Sequence, residues 1–213
     1  MRDLNTRLKR ALFKLSPRTA ERLNIEFRLR APNRDFLEES VFGYMNELSA
    51  ESAHDIKTLF VGLDKHNWHY PRLLRCQFHS MDIEARMAVY GQRDRHWTGC
   101  ATRMAEHYGP NAFDVVVANG LVGYGINSAL DFRRLMTQCE QVLKPGGLLV
   151  LGYNDRPDRA PFPVLPVARE FFEPFVPPIA GVEHYVHPVD DAFRHVYVFL
   201  RKPGASARKA FHA

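Results

Sequence analysis

The sequence predicts an α/β protein built on an open parallel β-sheet covered by helices on both faces, preceded by a basic helical extension. From Lys57 onward, strand-length apolar runs alternate with helix-like segments over short connections, the pattern of parallel strands joined by crossovers. The run "FDVVVAN", Phe113 to Asn119, is β-branched, too short for a buried helix and followed by a turn-forming glycine. The chain's 213 residues, 46% hydrophobic and 25% charged, suffice for one core with a small appendage rather than two full domains.

Taken in order, residues 1–50 read as the extension, 51–204 as the sheet domain and 205–213 as a flexible tail. Leu4, Leu8, Leu12 and Leu15 recur at helical spacing with cations between them. Ser16 and Pro17 supply an N-cap and a first helical residue for a second helix, which Pro32 is expected to end. A third helix is expected over Phe36 to Leu48, before the polar link "SAESAHDIK".

The first strand is "TLFVG", followed by a helix from Pro71. "QFHSMDI" is the second strand, and "HWTGC" the third after a short helix over Ala85 to Tyr90. Behind "FDVVVAN", Ser128 and Asp131 form a capping box for a helix with the stripe Leu130, Leu135, Met136, Cys139, Val142 and Leu143. "KPGG" stops that helix and "LLVLGYN" is the next strand. Prolines make "RPDRAPFPVLPV" and "FEPFVPPIAG" a rigid irregular lobe, and "RHVYVFLRKP" closes the domain as a strand.

Charge separates the two parts. Residues 1–34 hold ten Lys/Arg against Asp3, Glu21 and Glu26, a net of +7, whereas the whole chain sums to +5. The extension therefore offers a site for an anionic partner. Without aromatics interleaved with that charge, nucleic acid is the minority reading. No segment reaches the apolar length of a transmembrane span, and no secretory leader is evident. Cys76, Cys100 and Cys139 are widely spaced, fitting reduced thiols and a cytoplasmic location. His66 and His69 would make half a metal site at most, so no metal is assigned.

Open parallel sheets bind ligands beyond the carboxyl ends of their strands. Gly62 ends the first strand, and Asp82, twenty residues on, ends the second, a placement from which a carboxylate accepts hydrogen bonds from ribose hydroxyls. The string from Phe113 to Gly152, with its "VLKPGG" turn, resembles the class I methyltransferases dependent on S-adenosyl-L-methionine. The resemblance covers roughly residues 56 to 202. It implies a Rossmann-like seven-stranded sheet, mostly parallel with the last strand antiparallel, a fit for "HVYVFL".

It also implies a cofactor site. Gly62 would be the retained glycine of the first loop, Asp82 the ribose carboxylate, Thr98, Gly99 and Cys100 the neighbours of adenine, and Asn119 and Gly120 the floor under the methionine part. Asp64 and His66 stand where the family keeps glycines, so their side chains would enter space the cofactor uses. An anionic Asp64 also disfavours a pyrophosphate, hence a dinucleotide. Trp68 reads as packing beside this loop.

The expected activity is methyl transfer to a small-molecule or saccharide-like acceptor. The competing expectation is a catalytically inactive binding or scaffold protein that kept the fold. Acceptor chemistry would lie above strands one, four and five, near His66, Asn119, Tyr124, Tyr153, Asn154 and Asp155. There His66 is suited to proton removal and Asp155 to orienting it or serving as base.

Overall fold

The computed structural model describes residues 2–25 and 28–204; the expected tail, 205–213, lies outside them. The chain opens with α1 (Arg2–Leu15) and α2 (Pro17–Arg22). At their junction the Ser16 hydroxyl accepts the Thr19 N–H at 3.4 Å, and Pro17 fills the first helical position, where no N–H is needed. Pro32 does not end a helix. It begins α3 (Pro32–Asp35), because a fixed φ suits a first turn as well as a stop. A π-helical turn, Phe36–Val41, carries α3 into α4 (Phe42–Glu51).

The leucine stripe of α1 is divided: Leu12 is half-buried against the core, and Leu8 and Leu15 face away from it. Leu8 is 62% exposed and Leu15 79%, whereas Phe13 is 1% exposed. The Phe13 ring lies 5.8 Å from that of Trp68 and 5.7 Å from that of Tyr90. The aromatic ring, with its large contact area, and Leu12 beside it fix the helix against the body.

The sheet comprises β1 (Lys57–Val61), β2 (Gln77–Asp82), β3 (His96–Thr98), β4 (Phe113–Asn119), β5 (Leu143–Asn154), β6 (Glu173–Pro174), β7 (Val186–Pro188) and β8 (His195–Arg201). Between β1 and β2 lies the single turn α5 (Tyr70–Leu73), and Ala85–Tyr90 forms a 3-10 helix before β3. The path of the sheet is β3-β2-β1-β4-β5-β8-β6, with β7 also on β8. Pairings from β3 across to β5 are parallel; β8 runs antiparallel to β5, β6 and β7.

Both faces are covered. Val116 and Ala118 of β4 pack with α6 (Met104–Tyr108) and α7 (Ala129–Val142), while Val115 and Val117 join Leu37, Val41 and Met45 on the other side. Ser128 caps α7 as its sequence requires, accepting the Asp131 N–H at 3.1 Å and donating to its carboxylate at 2.8 Å. The stripe is shifted from the expected one. Leu130 is 58% exposed and Leu143 already belongs to β5; Phe132, Leu135, Met136 and Cys139 supply the i, i+3, i+4, i+7 set that a helix buries.

"KPGG" lies within β5, where the Gly146 N–H donates to the Lys202 carbonyl at 2.9 Å. The buried Lys202 ammonium donates to the carbonyls of Glu140 and Leu143, at 2.6 and 2.7 Å, serving acceptors that the end of α7 leaves open. The proline-rich lobe holds one short helix, α8 (Val164–Arg169).

Candidate functional site

The strand order reverses at β1, whose neighbours are β2 and β4. This is the switch point at which such sheets leave a crevice. Gly62 sits at its edge with φ +88°, its N–H donating to the Met81 carbonyl at 3.0 Å. A Cβ there would lie 2.8 Å from Leu121 Cδ2. Conformation and space both demand glycine. On the far side the Gly99 N–H donates to the Asp82 carbonyl at 2.9 Å, and a Cβ on Gly99 would meet the Trp97 ring at 2.2 Å. Gly62, Asp82 and Gly99 are thus brought to one place, with the loop after β4 against them.

Asp64 and His66 have a local task. Asp64 Oδ1 accepts the His66 N–H at 2.6 Å, the Asp64 N–H donates to Asn67 Oδ1 at 3.2 Å, and the Asn67 N–H donates to the Asp64 carbonyl at 3.1 Å. Side chains close this turn. Asp82 is half-buried, and burial pushes its carboxyl pKa up. The Glu84 N–H, bonded at 2.8 Å, opposes this, and the charges of Glu84 and Asp64 push it further. The crevice is therefore acidic. Thr98 is exposed at the end of β3, and Cys100 is half-buried with Sγ 3.1 Å from Thr102 Oγ1.

The residues that end β4 and β5 and begin β8, Asn119, Asn154 and His195, are uncharged, and the Asp191 carboxylate accepts the His195 N–H at 3.0 Å. Asn119 turns its amide across Gly152, where a Cβ would come within 2.1 Å of Asn119 Oδ1. Asn154 is buried; its Nδ2 donates to the Tyr124 hydroxyl at 3.3 Å, so its Oδ1 accepts from His195 Nδ1 at 2.8 Å. His195 Nε2 then carries a lone pair. Burial drives the pKa of His195 down to about 4, so the ring is neutral near pH 7. Neither His195 Nε2 nor Asn119 Oδ1 has a hydrogen-bond partner among the described residues.

The start of α3 roofs this layer. The Tyr197 hydroxyl donates to the Asn33 carbonyl at 2.7 Å, and Arg34 donates to the Tyr70 hydroxyl at 3.3 Å. Beside them Glu38 is in contact with Arg28 and, at 3.2 Å, with His69 Nε2. Burial raises the Glu38 carboxyl, but His69 and Arg28 outweigh it and hold the pKa below its ordinary value. His69 is thus engaged with a carboxylate of the extension.

Of the remaining expected residues, Gly120 donates its N–H to the Gly152 carbonyl at 2.9 Å, and His66 is half-buried in the first loop. Asp155 is exposed just past β5, its N–H on the Arg194 carbonyl at 2.9 Å, in an open cleft with Arg156, Phe162 and Arg194. Trp68 packs between Phe13 and the Arg72 guanidinium, which lies 4.1 Å from its ring centre. Tyr153 is buried on the α7 face. His195, Tyr197 and Arg34 were not anticipated. The alternation of "HVYVFL" carries a signal for the first two, since it sets His195, Tyr197 and Phe199 on one face.

Residues 65–151 match a family model described as "Methyltransferase domain". No curated protein matches the chain. Among solved structures, the N-methyltransferase NodS from Bradyrhizobium japonicum WM9, in complex with S-adenosyl-L-homocysteine, is 17% identical, covering 78% of this chain and 90% of its own with a TM-score of 0.57. The 1,6-didemethyltoxoflavin-N1-methyltransferase of Burkholderia thailandensis is 15% identical over 84% and 93%, TM-score 0.54. The [4+2]-cyclase SpnF is 16% identical over 76% and 81%, TM-score 0.53. At these identities the likeness is one of fold.

Proposed function

We propose, from the premise that this chain carries a class I methyltransferase domain, that it transfers the methyl group of S-adenosyl-L-methionine to a small-molecule or saccharide-like acceptor. The observation that carries the reading is the meeting of Gly62, Asp82 and Gly99 in an acidic crevice at the switch point of the sheet. The donor set fits the cofactor: carboxylates suit a ligand with sulfonium and ammonium charges and two ribose hydroxyls, and repel a pyrophosphate. NodS and the toxoflavin enzyme, which share the fold, were both solved with S-adenosylhomocysteine.

In this reading Asp82 accepts the ribose hydroxyls, Thr98, Gly99 and Cys100 border the adenine, and Gly62, Asn119 and Gly120 let the backbone approach the methionine part. Asp64 shapes the loop from beside it, its carboxylate already committed to the His66 N–H. When bound, the cofactor supplies an electrophilic methyl group. The chain's part is placement: the neutral layer of Asn119, Tyr124, Asn154 and His195 would orient the acceptor by hydrogen bonds, His195 Nε2 accepting one. His66, with Asp155, is assigned removal of the acceptor's proton.

Incubation with S-adenosyl-L-methionine and panels of hydroxyl and amine acceptors tests this reading. Acceptor-dependent release of S-adenosylhomocysteine, abolished by disrupting Asp82, is the expected outcome. Cofactor binding with no turnover on any acceptor would favour the scaffold role.

A further inference from the structure

Part of the apolar side of the basic extension faces outward, although Leu12 is half-buried against the core. Leu8 and Leu15, seven residues apart in α1, share one face of the helix, and both are mostly exposed. Phe13, the residue that anchors the helix, lies roughly 150° round the axis from them. Ala11 is exposed on the leucine face, and Leu23 and Leu29 beyond add to the exposed apolar surface at 61% and 44%.

The surrounding charge is of one sign. Lys9, Arg10, Lys14, Arg18 and Arg22 are exposed, and among the described residues none of the five is paired with a carboxylate. Elsewhere on the surface arginines are commonly neutralised, as in Arg103–Glu106, Arg134–Asp131 and Arg156–Asp158.

We infer that α1 is an interfacial anchor that lays its leucine face into an anionic lipid surface. A helix with leucines on one side and lysines and arginines round the rest gains from apolar burial and from attraction to acidic headgroups together. At 14 residues, α1 spans about 21 Å, enough to lie in the interface. No helix among the described residues is long and apolar enough to cross a membrane. A second copy is the poorer occupant, because joining two such faces brings two uncompensated basic rims together. Nucleic acid would use the cations and leave the leucines unexplained.

The experiment is co-sedimentation of the full chain with phosphatidylcholine vesicles, with and without phosphatidylglycerol. The chain should sediment with the anionic vesicles alone, and less as salt is raised. The double variant Leu8→Ser/Leu15→Ser and the triple variant Lys9→Gln/Arg10→Gln/Lys14→Gln should each lower the partition coefficient by about tenfold or more. All these side chains are exposed, so thermal melting should be unchanged. Absence of binding to anionic vesicles at low salt would overturn the inference, as would full binding by a folded leucine variant. A lipid-free dimer that the leucine variant makes monomeric would assign the face to a second copy instead.

Discussion

Around the ends of β1, β2 and β3, carboxylates share a half-open crevice, whereas over β4, β5 and β8 a layer of amides, phenols and one imidazole is closed beneath α3. Both regions occupy the carboxyl end of one sheet. The first gathers the half-buried Asp64 and Asp82 and the exposed Glu84. The second holds a buried histidine in its neutral form among amides and phenols, with Asp191 and Arg34 at its margin. On the proposed reading the first would take the charged cofactor and the second the acceptor, and the strand order puts them side by side.

The largest expected effect tests the neutrality of the buried layer. Folded His195 titrates near 4 and an ordinary histidine near 6.5, so between these values the unfolded chain binds the extra proton. The stabilising contribution is present above pH 6.5 and is lost as pH falls toward 4, by about 3 kcal/mol if the shift is taken whole. Urea unfolding at a series of pH values should show this slope, and His195→Gln should flatten it. An unchanged profile would mean that His195 is solvated and that the two regions do not differ in this way.

Next in size is the chemistry between the regions. His66→Ala and Asp155→Asn should each lower turnover by roughly 10²-fold or more once an acceptor is found, with cofactor affinity preserved. Variants that retain full turnover would leave placement by the neutral layer as the chain's whole contribution. The exposure of Asp155, and its backbone bond to Arg194, make it the sharper of the two tests.

The two regions also differed in how far the sequence revealed them. Gly62 and Asp82 could be read because strand ends and glycine follow from local pattern, and the "VLKPGG" turn tied them to a known arrangement of strands. The same locality exposed Ser128 as a cap. The neutral layer depends on pairing between residues far apart in the chain: Asn154 meets His195 through the β5–β8 register, and Tyr197 reaches the Asn33 carbonyl across 164 positions. Local pattern does not encode such partners. The leucines of α1 show a related limit. Periodicity marks an apolar face but does not say what covers it: Leu12 packs on the core beside Phe13, whereas Leu8 and Leu15 stay exposed. At Pro32 the same proline chemistry permitted a stop or a start, and the continuation into α4 decided it.

Calorimetric titration of S-adenosylhomocysteine into the intact chain and into Asp82→Ala bears most directly on the claim that the acidic crevice is a cofactor site. The intact chain should bind, and the variant, still folded, should bind more weakly by about 1.5–3 kcal/mol, the cost of losing hydrogen bonds to a charged group. The absence of binding to the intact chain at millimolar ligand, or equal affinity in both proteins, would contradict the assignment.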